Sequence, residues 1–100
     1  MIIIYITNPS KEVAKELAKY LLDEGLIACA NIFPVQSMYR GKEKLEEGEE
    51  FILLAKTKDA LFEKVKESVL EKHPYEVPCI LKLNVEANKE YEDWLNSITI

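Results

Sequence analysis

Histidine occurs once in this 100-residue chain, at His73, and glycine only three times. A single histidine excludes a multi-histidine zinc centre within one chain and leaves no spare for a Ser-His-Asp triad. Three glycines leave little scope for a phosphate-cradling loop, and neither a GxSxG elbow nor a dinucleotide fingerprint is present. Cysteine is scarce too. Cys29 and Cys79 stand 50 residues apart in apolar stretches, without the CxxC spacing of a metal knuckle. Reduced cysteines buried as small hydrophobes are the plain reading of such a pair. No apolar run approaches the roughly 20 residues of a membrane span. The opening Met1-Ile2-Ile3-Ile4 shows no basic n-region and no small-residue cleavage pattern. The expectation is a cytoplasmic chain with no membrane partner.

What is abundant is acid. Thirteen Lys+Arg against eighteen Asp+Glu give a formal charge of -5, which argues against a nucleic-acid partner, since that needs a basic face. Glu outnumbers Asp fifteen to three, Lys outnumbers Arg twelve to one, and Gln36 is the only glutamine. Lys/Glu enrichment of this kind is the compositional pattern of heat-adapted organisms. It speaks to source, not to activity.

The pattern of apolar residues orders the chain as a single domain over residues 1–100. Residues 2–7 are β-branched and aromatic almost throughout, the mark of a strand buried on both faces. Asn8 or Ser10 is placed to cap a helix over residues 11–24, closed by Gly25. Residues 26–33 read as a second strand ended by Pro34, with residues 35–40 extending it after a bend. Residues 41–50 read as a polar, acidic hairpin region with Gly48 near the turn. Residues 51–55 form another doubly apolar strand. A helix follows Lys58-Asp59, with Leu61, Phe62, Val65, Val69 and Leu70 on one stripe. Pro74 and Pro78 force residues 73–78 into a loop. Residues 79–85 make the fourth strand, and Asn88 is placed to cap a short last helix with Tyr91, Trp94 and Leu95 on its buried side. Right-handed crossovers and short connections reduce this order to an α+β, ferredoxin-like βαββαβ sandwich, an antiparallel sheet plus a short C-terminal helix.

Two main helices cover one face of a four-stranded sheet, yet both faces are apolar. Ile2, Ile4 and Ile6 alternate with Ile3 and Tyr5; Phe51, Leu53 and Ala55 alternate with Ile52 and Leu54. The second face therefore needs cover, and the expected cover is another copy of the chain.

Chemistry-bearing positions are few. His73 sits in a rigid loop with Glu76 three residues on, and reads either as a metal ligand or proton-transfer group, or as a loop-fixing side chain bonded to backbone. Glu46, Glu47, Glu49 and Glu50 could gather hard cations but, with no EF-hand spacing, read as a solvated hairpin. Lys56 interrupts an apolar run, and either snorkels to solvent or pairs across a cleft.

His73-Pro74-Tyr75-Glu76-Val77-Pro78, preceded by Ala28-Cys29-Ala30-Asn31-Ile32 and Lys56-Thr57, resembles the CutA family of divalent-cation tolerance proteins. The likeness extends to Thr7 and Pro9, to Met38-Tyr39-Arg40, to the acidic segment and to the late Tyr91…Trp94-Leu95 helix. It implies a small cytosolic protein forming a stable homotrimer through sheet contacts between subunits. It also implies binding of copper or another divalent cation, a role in metal tolerance, no required cofactor and no established reaction. The metal ligands it suggests here are His73, Cys29, Cys79 and Glu76; Tyr39, Arg40, Lys56 and Tyr75 would line the cleft between subunits. Departures from the family pattern are visible. Ile6 and Lys72 occupy places where some relatives carry copper-binding Cys and His. Gly41 and Glu43 stand where the pattern has Trp and Gly, and Cys79 stands in a commonly acidic place. The leading expectation is a non-enzymatic, trimeric, metal-responsive binding protein. The alternatives are a signalling trimer that senses a small ligand between subunits, with Lys56 and Arg40 holding an anion, and an enzyme using Tyr75, Glu76 and His73 as acid/base groups.

Overall fold

A computed structural model describes residues 1–100. Four strands form one antiparallel sheet in the order β2-β3-β1-β4: β1 is Ile2–Asn8, β2 Cys29–Arg40, β3 Leu45–Thr57 and β4 Ile80–Asn84. Two helices, α1 (Lys11–Asp23) and α2 (Phe62–Lys72), connect them, and α3 (Lys89–Ile98) follows. This is the expected ferredoxin-like α+β sandwich.

β1 sits between β3 and β4, so its alternation decides the layers. Ile2, Ile4 and Ile6 are fully buried and join Leu17, Leu21, Leu53, Ala55, Val65 and Val69 in the core between sheet and helices. Each such large aliphatic side chain contributes about 1.5–3 kcal/mol by leaving water. Ser10, not Asn8, caps α1, accepting from the Val13 N–H at 3.1 Å. Asn8 is instead buried, and its Nδ2 donates to the Ile6 and Phe51 carbonyls, both at 3.1 Å.

Several expected boundaries move. β2 runs unbroken through Pro34, which pairs with Phe51. β2 is the edge strand, where a missing N–H costs no ladder bond. The hairpin turn is confined to residues 41–44, closed by the Gly41 N–H to the Lys44 carbonyl at 2.9 Å. The acidic residues 46–50 are therefore strand, not loop, and Gly48 pairs with Ser37 well away from the turn. Leu70 and Trp94, expected to be buried, are 55% and 45% exposed. A 3-10 turn, Asp59–Leu61, precedes α2, and Asn88 sits at the N-cap of α3 without a side-chain capping bond.

The second face is only partly covered. Tyr91 of α3 lies beside Cys29 and near Lys56, at the end where β1 begins. Leu81 and Leu83 on β4 remain 50% and 49% exposed on that face. β1 pairs with β3 only over residues 51–57, so residues 45–50 have β2 as their sole partner. The β2–β3 hairpin thus projects as a two-stranded arm from a molecule 47 Å long and 25 Å by 21 Å across. No helix is long and apolar enough to cross a membrane.

Gly25 takes a positive φ of 71° at the end of α1, and a Cβ there would lie 2.9 Å from Ile100 Cγ2. A Cβ on Gly48 would meet nothing within 4 Å. Gly25→Ala is expected to lower stability by about 1–2 kcal/mol. Gly48→Ala should stay within about 0.5 kcal/mol of the parent. Urea unfolding of both variants at matched protein concentration checks the contrast.

Candidate functional site

Where the arm leaves the sheet, a cleft of about 930 Å³ opens on the second face. β1 contributes Thr7, β2 contributes Gln36, Ser37, Met38 and Tyr39, β3 contributes Glu50, and the loop after α2 brings Tyr75, Glu76, Val77 and Cys79. The loop reaches the cleft because Pro74 and Pro78 forbid helix and ladder, so the chain leaves α2 and wraps past the end of β1 before β4 begins.

Three bonds fasten that loop. His73 Nε2 meets the Thr7 carbonyl at 2.8 Å, the Tyr75 N–H donates to His73 Nδ1 at 3.1 Å, and the Tyr75 hydroxyl donates to Glu50 Oε2 at 2.6 Å. The last is a short, charge-assisted bond to a half-buried carboxylate. Burial first, and the Glu50 bond and charge second, push the Tyr75 phenol well above its ordinary value of 10. The phenol stays protonated and keeps donating.

The sequence-derived site residues divide in three. Tyr39, Tyr75, Glu76 and Cys79 converge on the cleft. Cys29 and Lys56 do not. They pair with each other across β2 and β3 at the start of β1, four residues from Thr7 and so about 13 Å away along the strand. There Cys29 meets Tyr91, whose phenol is raised by burial and then by the thiol. Arg40 ends β2 opposite Leu45 at the exposed tip of the arm. The cleft is consequently lined by two carboxylates and by no lysine or arginine.

His73, expected as a metal ligand, lies outside the cleft lining. Its two ring nitrogens are both engaged within the chain, which leaves no lone pair free for a cation. The four residues expected as ligands do not meet, and no three His, Cys, Asp or Glu side chains converge anywhere in the chain. A coordination shell for copper is absent from one copy, although Cys79 and Glu76 remain as donors at the cleft.

Glu50, set down to a solvated hairpin, and Thr7 and Met38, named only in the family likeness, were not read from the sequence as cleft residues. Extending the alternation of residues 51–55 back by one places Glu50 on the same face as Ile52 and Leu54, a signal hidden by treating the acidic run as a solvated loop.

Fold and cleft together define a ferredoxin-like α+β protein with an acidic cleft at the root of a projecting hairpin. The chain belongs to the CutA1 divalent ion tolerance protein family, which it matches over residues 2–98. It is 46% identical to the divalent-cation tolerance protein CutA of Thermus thermophilus, covering 97% of this chain and 96% of that one. It superposes on the crystal structure of CutA1 from Pyrococcus horikoshii with a TM-score of 0.97 at 40% identity, over 100% and 99% of the two chains. The Archaeoglobus fulgidus structure gives 0.94 at 40% identity over 98% of each. That protein is described as a periplasmic divalent cation tolerance protein, which overturns the expected cytoplasmic location: membership in the family carries no cytoplasmic address. The family is described by divalent-ion tolerance, not by a reaction.

The Tyr75 bond has a measurable alkaline consequence. A folded value above the unfolded one stabilises the fold fully below pH of about 10, and that stability is lost as pH rises through the folded value. In a tyrosinate absorbance titration, Tyr75 should ionise late, alongside Tyr91. Tyr75→Phe should remove one late-ionising group; an unchanged late limb would refute the assignment.

Proposed function

We propose that this chain acts as a non-enzymatic homotrimer that takes a divalent cation, copper foremost, at clefts completed by neighbouring copies, in the service of metal-ion tolerance. One observation carries this reading. The cleft is acidic and free of basic side chains, and much of its wall is an arm that no other strand of its own chain supports.

Each part has a physical reason. An isolated two-stranded ribbon is marginal in water, so pairing of the arm with another copy would stabilise it. The half-exposed Leu81 and Leu83 ask for the same cover. The carboxylates of Glu50 and Glu76 enter none of the four ion pairs, so their charge at the cleft is left for a cation. Cys79 adds soft sulfur beside them, the donor type that copper favours. The net charge of -5 per chain adds a field of the right sign. Within one copy, Arg40 and Lys56 lie away from the cleft.

Native mass spectrometry should give a species of three times the 11.5 kDa chain mass. Copper titration by calorimetry should show affinity falling tenfold or more in Cys79→Ser and in Glu76→Gln, and unchanged in Cys29→Ser. A single-chain species would overturn the trimer. Copper affinity indifferent to both cleft variants would overturn the metal site, and a co-purified organic mass in that case would favour the small-ligand reading.

A further inference from the structure

We propose that the groove between α1 and the end of α2 binds a small zwitterion with an apolar side chain, an α-amino acid of the leucine or phenylalanine kind. The groove belongs to the helix layer and not to the second face of the sheet, so its ligand is independent of whatever the cleft takes.

One stripe of α1 builds the groove. Val13, Glu16, Leu17 and Tyr20 recur at i, i+3, i+4 and i+7, so all four share one side of the helix. Lys72, the last residue of α2, and Pro74 close the groove from the other side. The space between them is about 380 Å³, within the range of small-molecule sites. Leu17 is buried and Val13 half-buried, which makes the base apolar. His73 also lines the wall, but both of its ring nitrogens are bonded within the chain. The charged groups left to meet a ligand are Glu16 and Lys72.

Their charges are opposite, yet they do not neutralise each other. The chain forms four ion pairs, and neither residue enters one. Helix spacing gives the reason. The lysine one turn on from Glu16 is Lys19, and Lys19 bonds Asp23 at 2.7 Å. Lys72 has Ser68 and Val69 one turn before it, so no acid on α2 reaches it. Its ammonium lies instead 4.1 Å over the Tyr20 ring, the closest of the four such contacts in the chain. That contact holds the cation over the stripe that carries Glu16, one turn away.

A carboxylate and an ammonium that share a groove without forming an ion pair select a ligand bearing both signs. A lone anion would be repelled by Glu16, and a lone cation by Lys72. An α-amino acid sets its ammonium toward Glu16 and its carboxylate toward Lys72. Its side chain then covers Val13, Leu17 and Pro74, and an apolar one gains most from doing so.

Calorimetric titration of the whole chain with L-leucine tests this. Saturable binding with a dissociation constant of about 1 mM or tighter is expected. Isoamylamine, which lacks the carboxylate, and isocaproate, which lacks the ammonium, should each bind tenfold or more weakly. Lys72→Met should weaken L-leucine tenfold or more without weakening isoamylamine. Glu16→Gln should do the same to L-leucine without weakening isocaproate. Both positions are exposed, so the variants keep the fold. L-leucine should also shift the imidazole NMR signals of His73, the only histidine. No saturable binding of L-leucine or L-phenylalanine at millimolar concentration would overturn the proposal. So would equal affinity for the one-charge analogues, binding that neither variant weakens, or binding that leaves the His73 signals unmoved.

Discussion

The length mismatch between β1 and β3 governs this structure. β1 offers seven residues and β3 thirteen, so the sheet is four strands wide at one end and two at the other. At the wide end Ile2, Ile4 and Ile6 seal against the helices. At the narrow end the backbone of residues 45–50 has β2 on one side and an open edge on the other. The step between the two widths is where a cleft can form. It is also where the loop from α2 crosses from the helix layer to the sheet's second face.

That geometry puts the candidate cleft and the unsupported edge of the arm in the same place. A cleft wholly inside the wide part of the sheet would be filled by core side chains, and one wholly on the arm would have no wall. At the step, one wall is rigid sheet, one is the arm and one is a proline-bracketed loop. The loop adds Tyr75, Glu76 and Cys79, and the arm adds Met38 and Tyr39. The charge there is negative because no lysine or arginine lines the cleft. Arg40 is displaced to the arm's tip by the length of β2, and Lys56 to the opposite end by the register of β3.

The sequence made the architecture legible through alternation. The doubly apolar β1, the Gly25 closure of α1 and the two prolines after His73 each forced a local answer, and together they left one topology. What it concealed depended on pairing. Pro34 reads as a strand end unless β2 is known to be the edge, and the glutamates of residues 46–50 read as solvated loop unless β2 is known to extend opposite them. The candidate site suffered in the same way. Resemblance gathered Cys29, Lys56, His73 and Cys79 into one cleft, but strand register separates the first two from the last by the span of β1. Only bond partners reveal that His73 has no free lone pair.

Both ends of the chain are fixed at the wide end of the sheet. The Met1 carbonyl accepts from the Val85 N–H at 3.2 Å, and the Ile100 N–H donates to the Gly25 carbonyl at 3.0 Å. Anything joined to either end emerges behind the core, with the length of β1 between it and the cleft. Tethering the protein to a surface through either terminus would leave the arm and the loop wall facing outward.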